Sequence, residues 1–219
     1  MTKTIEIKKP PEKDFSQVIL PMQGGIVSVT MAYYLKFKGF SVHAISFDWK
    51  DFKKSKAIES AKKTCKDLKA MHHVIDMSSL RKVLEGGTSS LPTVVNRDNI
   101  YLSMCISYAF KYRCPTIFYP IFIPHPQMAH NIGVISETLR EIVRLSSGGN
   151  VHLAYDFQMN ELHDLIQLAD KLDVPLEKTW SCQKNGRVHC GECAGCLNRK
   201  NGFKLAGVKD NVKYRKKSR

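Results

Sequence analysis

Apolar positions along the chain recur with two periods, and the two alternate. Residues 16–20 form a short apolar run ahead of the helix-breaking Pro21, which predicts a buried strand. Ile26, Val29, Tyr33 and Phe37 then fall at helical spacing, with Gly39 placed to end that helix. Residues 42–47 read as a second strand, about 53–68 as a basic helix, and 73–75 as a third strand. A Gly-Gly-Thr-Ser-Ser loop at 86–90 precedes Pro92. Asp98 is positioned to cap a helix whose Tyr101, Met104, Cys105, Tyr108 and Ala109 share one face. An apolar run at 116–123, broken by Pro120, leads to a helix marked by Ile132, Ile135, Leu139 and Ile142 and closed by Ser146-Ser147-Gly148-Gly149. Residues 151–155 make a last strand before a helix with Leu162, Leu165, Ile166 and Ala169 inside. Strands alternating with helices predict an α/β fold, a doubly wound parallel sheet covered on both faces. Ligands in such sheets sit beyond the carboxyl ends of the strands where the winding reverses, which places residues 22–28, Asp48 and Arg97 around one cleft.

Composition narrows the class. A chain of 219 residues with 43% apolar content suits one sizeable core, and no run approaches the roughly 18 apolar residues of a membrane span. The opening MTKTIEIKKPPEKD lacks the apolar centre of a signal peptide, so a cytoplasmic protein with no membrane partner is expected. The net charge of +14 favours polyanions. The last eleven residues hold six basic side chains and one acid, so removing them still leaves +9. Such an end is ordinarily solvated and frayed; the sharper expectation is an arm on nucleic acid or an acidic protein partner.

Of seven cysteines, Cys65, Cys105 and Cys114 stand alone, whereas Cys182, Cys190, Cys193 and Cys196 follow the spacing C-x7-C-x2-C-x2-C. Three sulfurs on one tight turn and a fourth from a loop at Asn185-Gly186 meet the tetrahedral demand of zinc, and a filled shell makes the site structural. Iron–sulfur ligation, which also takes four cysteines, is the runner-up. His189 is expected to be a surface neighbour and Trp180 to pack on the metal knuckle. His72 and His73 alternate along a strand and cannot ligate jointly, and His125 and His130 are expected at the surface.

The segment VPLEKTWSCQKNGRVHCGECAGCLNRKNGF resembles the C-terminal signature of 7-cyano-7-deazaguanine synthases, the queuosine-pathway ligases. The likeness extends in order through VSVTMAYYLKFKGFSVHAISFDW, AMHHVIDMSSL and VVNRDNIYLSMCISYA, and covers roughly residues 16–207. The resemblance implies a sheet of the adenine-nucleotide alpha-hydrolase type, an N-type ATP pyrophosphatase loop, a zinc site near the cleft and self-association as a homodimer. It also implies an ATP-driven conversion of a 7-carboxy-7-deazaguanine to an amide and then a nitrile. Gly24, Gly25, Ser28, Asp48, Arg97 and Asp156 are the positions it assigns to the nucleotide.

Departures from the family pattern gather in the cleft. Where the family loop reads Ser-Gly-Gly-x-Asp-Ser, this chain has Gln23, Gly24, Gly25, Ile26, Val27 and Ser28. Backbone N–H groups there can still face an anion, with Ser28 the best contact, but Val27 can neither ligate magnesium nor accept a hydrogen bond. After Phe47-Asp48 the family continues with an aromatic, a glycine and Gln-Arg-His; here Trp49 is followed by Lys50, Asp51, Phe52 and Lys53. Asp98 replaces an asparagine beside Arg97, IFIPHPQMAHN stands for a Tyr-Pro-Asp-Cys-Arg segment, and Met159 falls where a lysine is expected near Asp156.

These features predict a synthase-like zinc protein without ATP-dependent ligation, in which ATP and magnesium are doubtful cofactors and no residue is assigned a catalytic role. Its expected use is binding or assembly on nucleic acid or a protein partner. The alternative is an active ligase with its magnesium held by other groups. A third reading keeps a 7-deazaguanine-type small molecule, stacked by Trp49, Phe47 or Tyr155; Phe47 and Tyr155, which end strands, are expected in the core. The organisation expected is an N-terminal extension (1–15), an α/β domain (16–178), a zinc segment (179–207) and a basic tail (208–219).

Overall fold

In the computed structural model, which describes residues 17–85, 97–119, 129–155 and 161–215, the strand and helix periods alternate as the sequence predicts. Strands β1 (Gln17–Pro21), β2 (Ser41–Asp48), β3 (Met71–Asp76), β4 (Thr116–Phe118) and β5 (His152–Ala154) build a sheet in the order β3-β2-β1-β4-β5. All pairings are parallel, with Val18 opposite both Val42 and Thr116. The chain winds outward from β1 to β3, then returns to start again at β4, so the winding reverses between β1 and β4. That is where a doubly wound sheet opens a crevice.

Alternation along the strands divides the core. Val18, Leu20, Val42 and Ala44 face one side, where they meet α1 (Ile26–Phe37), α2 (Lys56–Asp67), α6 (Leu162–Lys171) and α7 (Ala194–Ala206). Ile19, Ile45, Phe47 and Ile117 face the other, against α4 (Arg97–Tyr112) and α5 (Ala129–Ser146). Leu20, Leu35 and Leu165 are fully buried, so truncating any one to alanine would cost about 2–5 kcal/mol.

Several expectations change in detail. Helix α3 (Ser78–Glu85) and helix α7 were not foreseen. β4 ends at Phe118, and residues 86–90, 120–128 and 156–160 lie outside the described residues, as do His125 and Met159. On α5, Ile142 is 46% exposed and Val143 is buried, one residue round from the expected face. Residue 98 lies inside α4 and not at its cap.

Candidate functional site

The loop between β1 and α1 is built around a close approach. Gly24 takes φ +71°, and a Cβ there would stand 2.0 Å from the Ala57 carbonyl oxygen, so α2 can pack against the loop only over a glycine. The Gly24 carbonyl accepts from Ser60 Oγ at 2.8 Å and from Trp180 N–H at 2.9 Å. The loop is thus fastened both to α2 and to the cysteine segment. Ser28 is buried; its Oγ donates to the Gly25 carbonyl and accepts from Gln23 N–H, each at 3.3 Å. The hydroxyl expected to meet an anion is therefore engaged inside the loop. Ile26 is buried, Val27 packs partly buried on the core, and the first turn of α1 carries no acidic side chain.

Asp48 ends β2 beside this loop, opposite Asp76 on β3. Its carboxylate accepts from Lys50 N–H at 3.0 Å and pairs with Lys50 Nζ at 2.7 Å, while the same ammonium lies 3.7 Å from Asp76. Lys50 sits at φ +57°, left-handed, the conformation a glycine adopts freely, at the position that the resemblance aligns with a glycine. A lysine in this conformation brings both its N–H and its ammonium onto the Asp48 carboxylate. Trp49 is buried and donates through Nε1 to Tyr101 Oη at 2.6 Å, and Phe47 stacks on Tyr101 at 4.2 Å, so these aromatics serve the core. Tyr155 is likewise buried. Among the expected nucleotide positions, Gly24, Gly25, Ser28 and Asp48 come together at the strand ends; Arg97 opens α4, and Asp156 lies outside the described residues.

The four cysteines converge. The sulfurs of Cys182, Cys190, Cys193 and Cys196 all lie within 4.8 Å of one another, with Cys190–Cys196 at 3.8 Å and Cys182–Cys193 at 4.0 Å. Donors about 2.3 Å from one tetrahedral ion are about 3.8 Å apart, so the set fits a single ion such as zinc. Backbone N–H groups of Lys184 and Cys190 point at Cys182 Sγ, and those of Gln183 and Cys193 at the sulfurs of Cys193 and Cys190. Cys193 caps α7, whose positive end faces the cluster. A Cβ on Gly195 would lie 2.0 Å from the Ser181 carbonyl oxygen, so that glycine lets the two halves of the knuckle meet. Burial pushes the Cys182 and Cys196 thiols up, whereas N–H donation, led by Glu192, draws Cys190 down. A divalent cation is the group that would let all four ionise together.

Around the cysteines stand residues that the sequence did not single out for support. His189 is buried, its ring 4.3 Å from Trp180 and 5.8 Å from Tyr214, and its Nε2 accepts from Ser181 N–H at 3.2 Å. The expected surface neighbour is thus a packing residue. Trp180 Nε1 donates to the Cys182 carbonyl at 2.7 Å, as a residue packed on the knuckle should. Arg199 on α7 is fully buried: its Nη1 donates to Thr179 Oγ1 at 2.7 Å, its Nη2 to the Leu176 carbonyl at 2.9 Å, and both Nε and Nη2 to Asp210. Asp210 also accepts from Tyr214 Oη at 2.6 Å, and Arg215 N–H donates to the His189 carbonyl. Residues 209–215, expected to be a frayed end, instead form a clasp over the knuckle.

Comparison with known proteins agrees with this geometry. The model of the queuosine biosynthesis protein QueC matches residues 17–207. The chain belongs to the QueC family. The 7-cyano-7-deazaguanine synthase of Caldicellulosiruptor saccharolyticus is 32% identical over 215 residues, 90% of this chain and 95% of the relative. That of Thermoplasma acidophilum is 32% identical over 228 residues, 91% and 92% of the two chains. In fold, the chain is similar to the NMN synthetase of Francisella tularensis, with a TM-score of 0.54 at 16% identity over 90% of this chain and 79% of that one. Among the described residues, no helix is long and apolar enough to cross a membrane.

Proposed function

We propose that this member of the QueC family has lost ATP-dependent ligation and persists as a binding protein stabilised by one structural zinc ion. The observation that carries the reading is the loop: an apolar Val27 packed on the core stands where the family pattern has its magnesium-directed carboxylate. Phosphoryl and adenylyl transfer depend on positioning and charge neutralisation, which a valine supplies in neither form. Two further features support it. Ser28 is hydrogen-bonded within the loop, and the Asp48 carboxylate is held by Lys50.

Cys182, Cys190, Cys193 and Cys196 would hold the zinc, whose contribution is to fold residues 179–207 and so to position Trp180 against Gly24. The separation of the sulfurs favours one ion over a multi-iron cluster, because a cluster presents a different iron to each cysteine and spreads them apart. Cys65, Cys105 and Cys114 are buried free thiols, which suits a reducing, cytoplasmic setting.

The test is incubation with ATP, magnesium, ammonia and 7-carboxy-7-deazaguanine. No substrate-dependent AMP and no nitrile are expected, and AMP release that tracks substrate would establish the ligase reading instead. Val27→Asp alone should leave the protein inactive, because Lys50 still occupies Asp48. Turnover regained by that single change would mean that the rest of the cleft is intact.

A further inference from the structure

A basic groove runs where the N-terminus of α2 meets the segment between Cys182 and Cys190. Asn185, left-handed at φ +43°, fixes the junction: its Oδ1 accepts from Lys56 N–H and its Nδ2 donates to the Lys54 carbonyl, each at 2.7 Å. On one side the groove widens into a shallow, open depression of about 850 Å³ bordered in part by Phe52, Lys53, Lys54 and Arg187. It continues as a cleft of about 370 Å³ past Lys63 and Lys213, with Lys56, Glu59 and Arg187 shared between the two.

The charge in this groove is not balanced. Asp51 pairs with Arg81 at 3.1 Å and Glu59 with Lys56 at 2.9 Å, so two of the bordering carboxylates are already engaged. Lys53, Lys54, Lys63, Arg187 and Lys213 make no ion pair among the described residues, against the one remaining acid, Glu177. Phe52 is 39% exposed beside these cations, although Trp49, three residues earlier, is 4% exposed. An aromatic face turned outward within a row of cations is the chemistry that takes a stacked base and its flanking phosphates. A duplex hides its base faces, and a purely acidic chain such as polyglutamate carries no ring to stack on Phe52.

We propose that this groove binds single-stranded nucleic acid, with phosphates along Lys53, Lys54, Lys63, Arg187 and Lys213 and a base on Phe52. The proposal names a partner class for the binding role above, and rests on that reading only for its biological use. Binding is independent of ATP turnover, so a protein that released AMP and also bound would refute the first reading and leave this one standing.

The experiment is fluorescence anisotropy of the full chain with labelled oligouridylate and oligothymidylate over a salt series. Five phosphate contacts predict that log Kd rises against log salt with a slope of about 3.5, at about 0.7 per contact on a single strand. Lys54→Gln with Arg187→Gln should lower that slope by about 1.4. Phe52→Ala should weaken binding by about 5- to 160-fold at fixed salt with the slope unchanged, in a variant whose melting temperature verifies its fold. The two probes would distinguish RNA from DNA, either of which supports the site. The proposal is overturned by absence of binding at low salt or by full affinity in Phe52→Ala. It is equally overturned if duplex or polyglutamate competes as well as the single strand, or if loss on removing residues 216–219 is accompanied by unchanged binding in the groove variants.

Discussion

Replacing Asp210 with asparagine removes one charge from a pair that water scarcely reaches. Arg199 is fully buried, and the Asp210 side chain is 11% exposed. Bidentate donation from Nε and Nη2, at 2.9–3.2 Å, leaves the guanidinium's three other bonds on the Thr179 hydroxyl, the Thr179 carbonyl and the Leu176 carbonyl. Breaking a buried pair by removing one partner costs about 3–5 kcal/mol, because the surviving charge stays buried and uncompensated. For 219 residues at about 2.1 cal/mol/K of unfolding entropy each, that is a fall in Tm of about 7–11 °C. The pH dependence carries a sign. Burial alone would raise the Asp210 carboxyl, but hydrogen bonds from Arg199 and Tyr214 outweigh it and hold the group below its usual range. A depressed carboxyl contributes stability that is present above the unfolded pKa, near pH 4, and is lost as pH falls through the lower folded value. Calorimetry of the wild type and Asp210→Asn should therefore show a gap that is constant at neutral pH and closes in acid. The double variant Arg199→Met with Asp210→Leu should recover most of the loss. A single-variant drop below about 2 °C, or a gap unchanged at acid pH, would mean that the Arg199–Asp210 pair does not stabilise the fold through its charge.

Other expectations follow from the same contacts. Gly24→Ala should destabilise by at least about 2 kcal/mol in urea melts, since it adds a Cβ onto the Ala57 carbonyl and strains a left-handed backbone. Stripping metal with a chelator should release Trp180 from the Cys182 carbonyl and alter its fluorescence before the sheet unfolds, with a fit to one zinc per chain by elemental analysis. His72 is driven down to about 4 by burial, then by Lys62 and His73, and Ser46 Oγ lies 2.8 Å from its Nε2. The unfolded state therefore binds more protons between about pH 6.5 and 4, and stability should decline as pH falls through that window. His72→Gln, which can still donate to Ser46, should flatten this part of the stability–pH curve.

The alternation of periods was enough to read the sheet and its winding, because central strands and the helices over them bury continuous apolar rows. What escaped were elements whose buried face is not apolar in composition. On α7 the inward positions are Cys196, Arg199, Gly202, Phe203 and Ala206, a helical spacing disguised by a thiol, a cation and a glycine. On α5 the buried Ser136 belongs to the true face, so counting only isoleucines and leucines turns the helix by one residue. α3 spaces Leu80, Val83 and Leu84 at i, i+3 and i+4, but it is only eight residues long and leaves Val83 and Leu84 exposed, too short a run to stand out along the chain. At the site, the cysteine spacing and the valine in the loop were plain from local order. The Lys50–Asp48 pair was not, although a lysine at an expected glycine position was its trace. Arg199, Asp210 and His189 meet only through the fold, and nothing in their separation along the chain announces it.

Whether the loop still binds nucleotide through a metal can be read by titrating ATP into the zinc-loaded protein calorimetrically with and without magnesium. Without a carboxylate at residue 27, and with Asp48 paired to Lys50, magnesium should leave ATP affinity unchanged or weaken it by neutralising phosphate charge. A tenfold or greater tightening by magnesium, lost when Asp48 is changed to asparagine, would show that the loop has kept a working metal–nucleotide site.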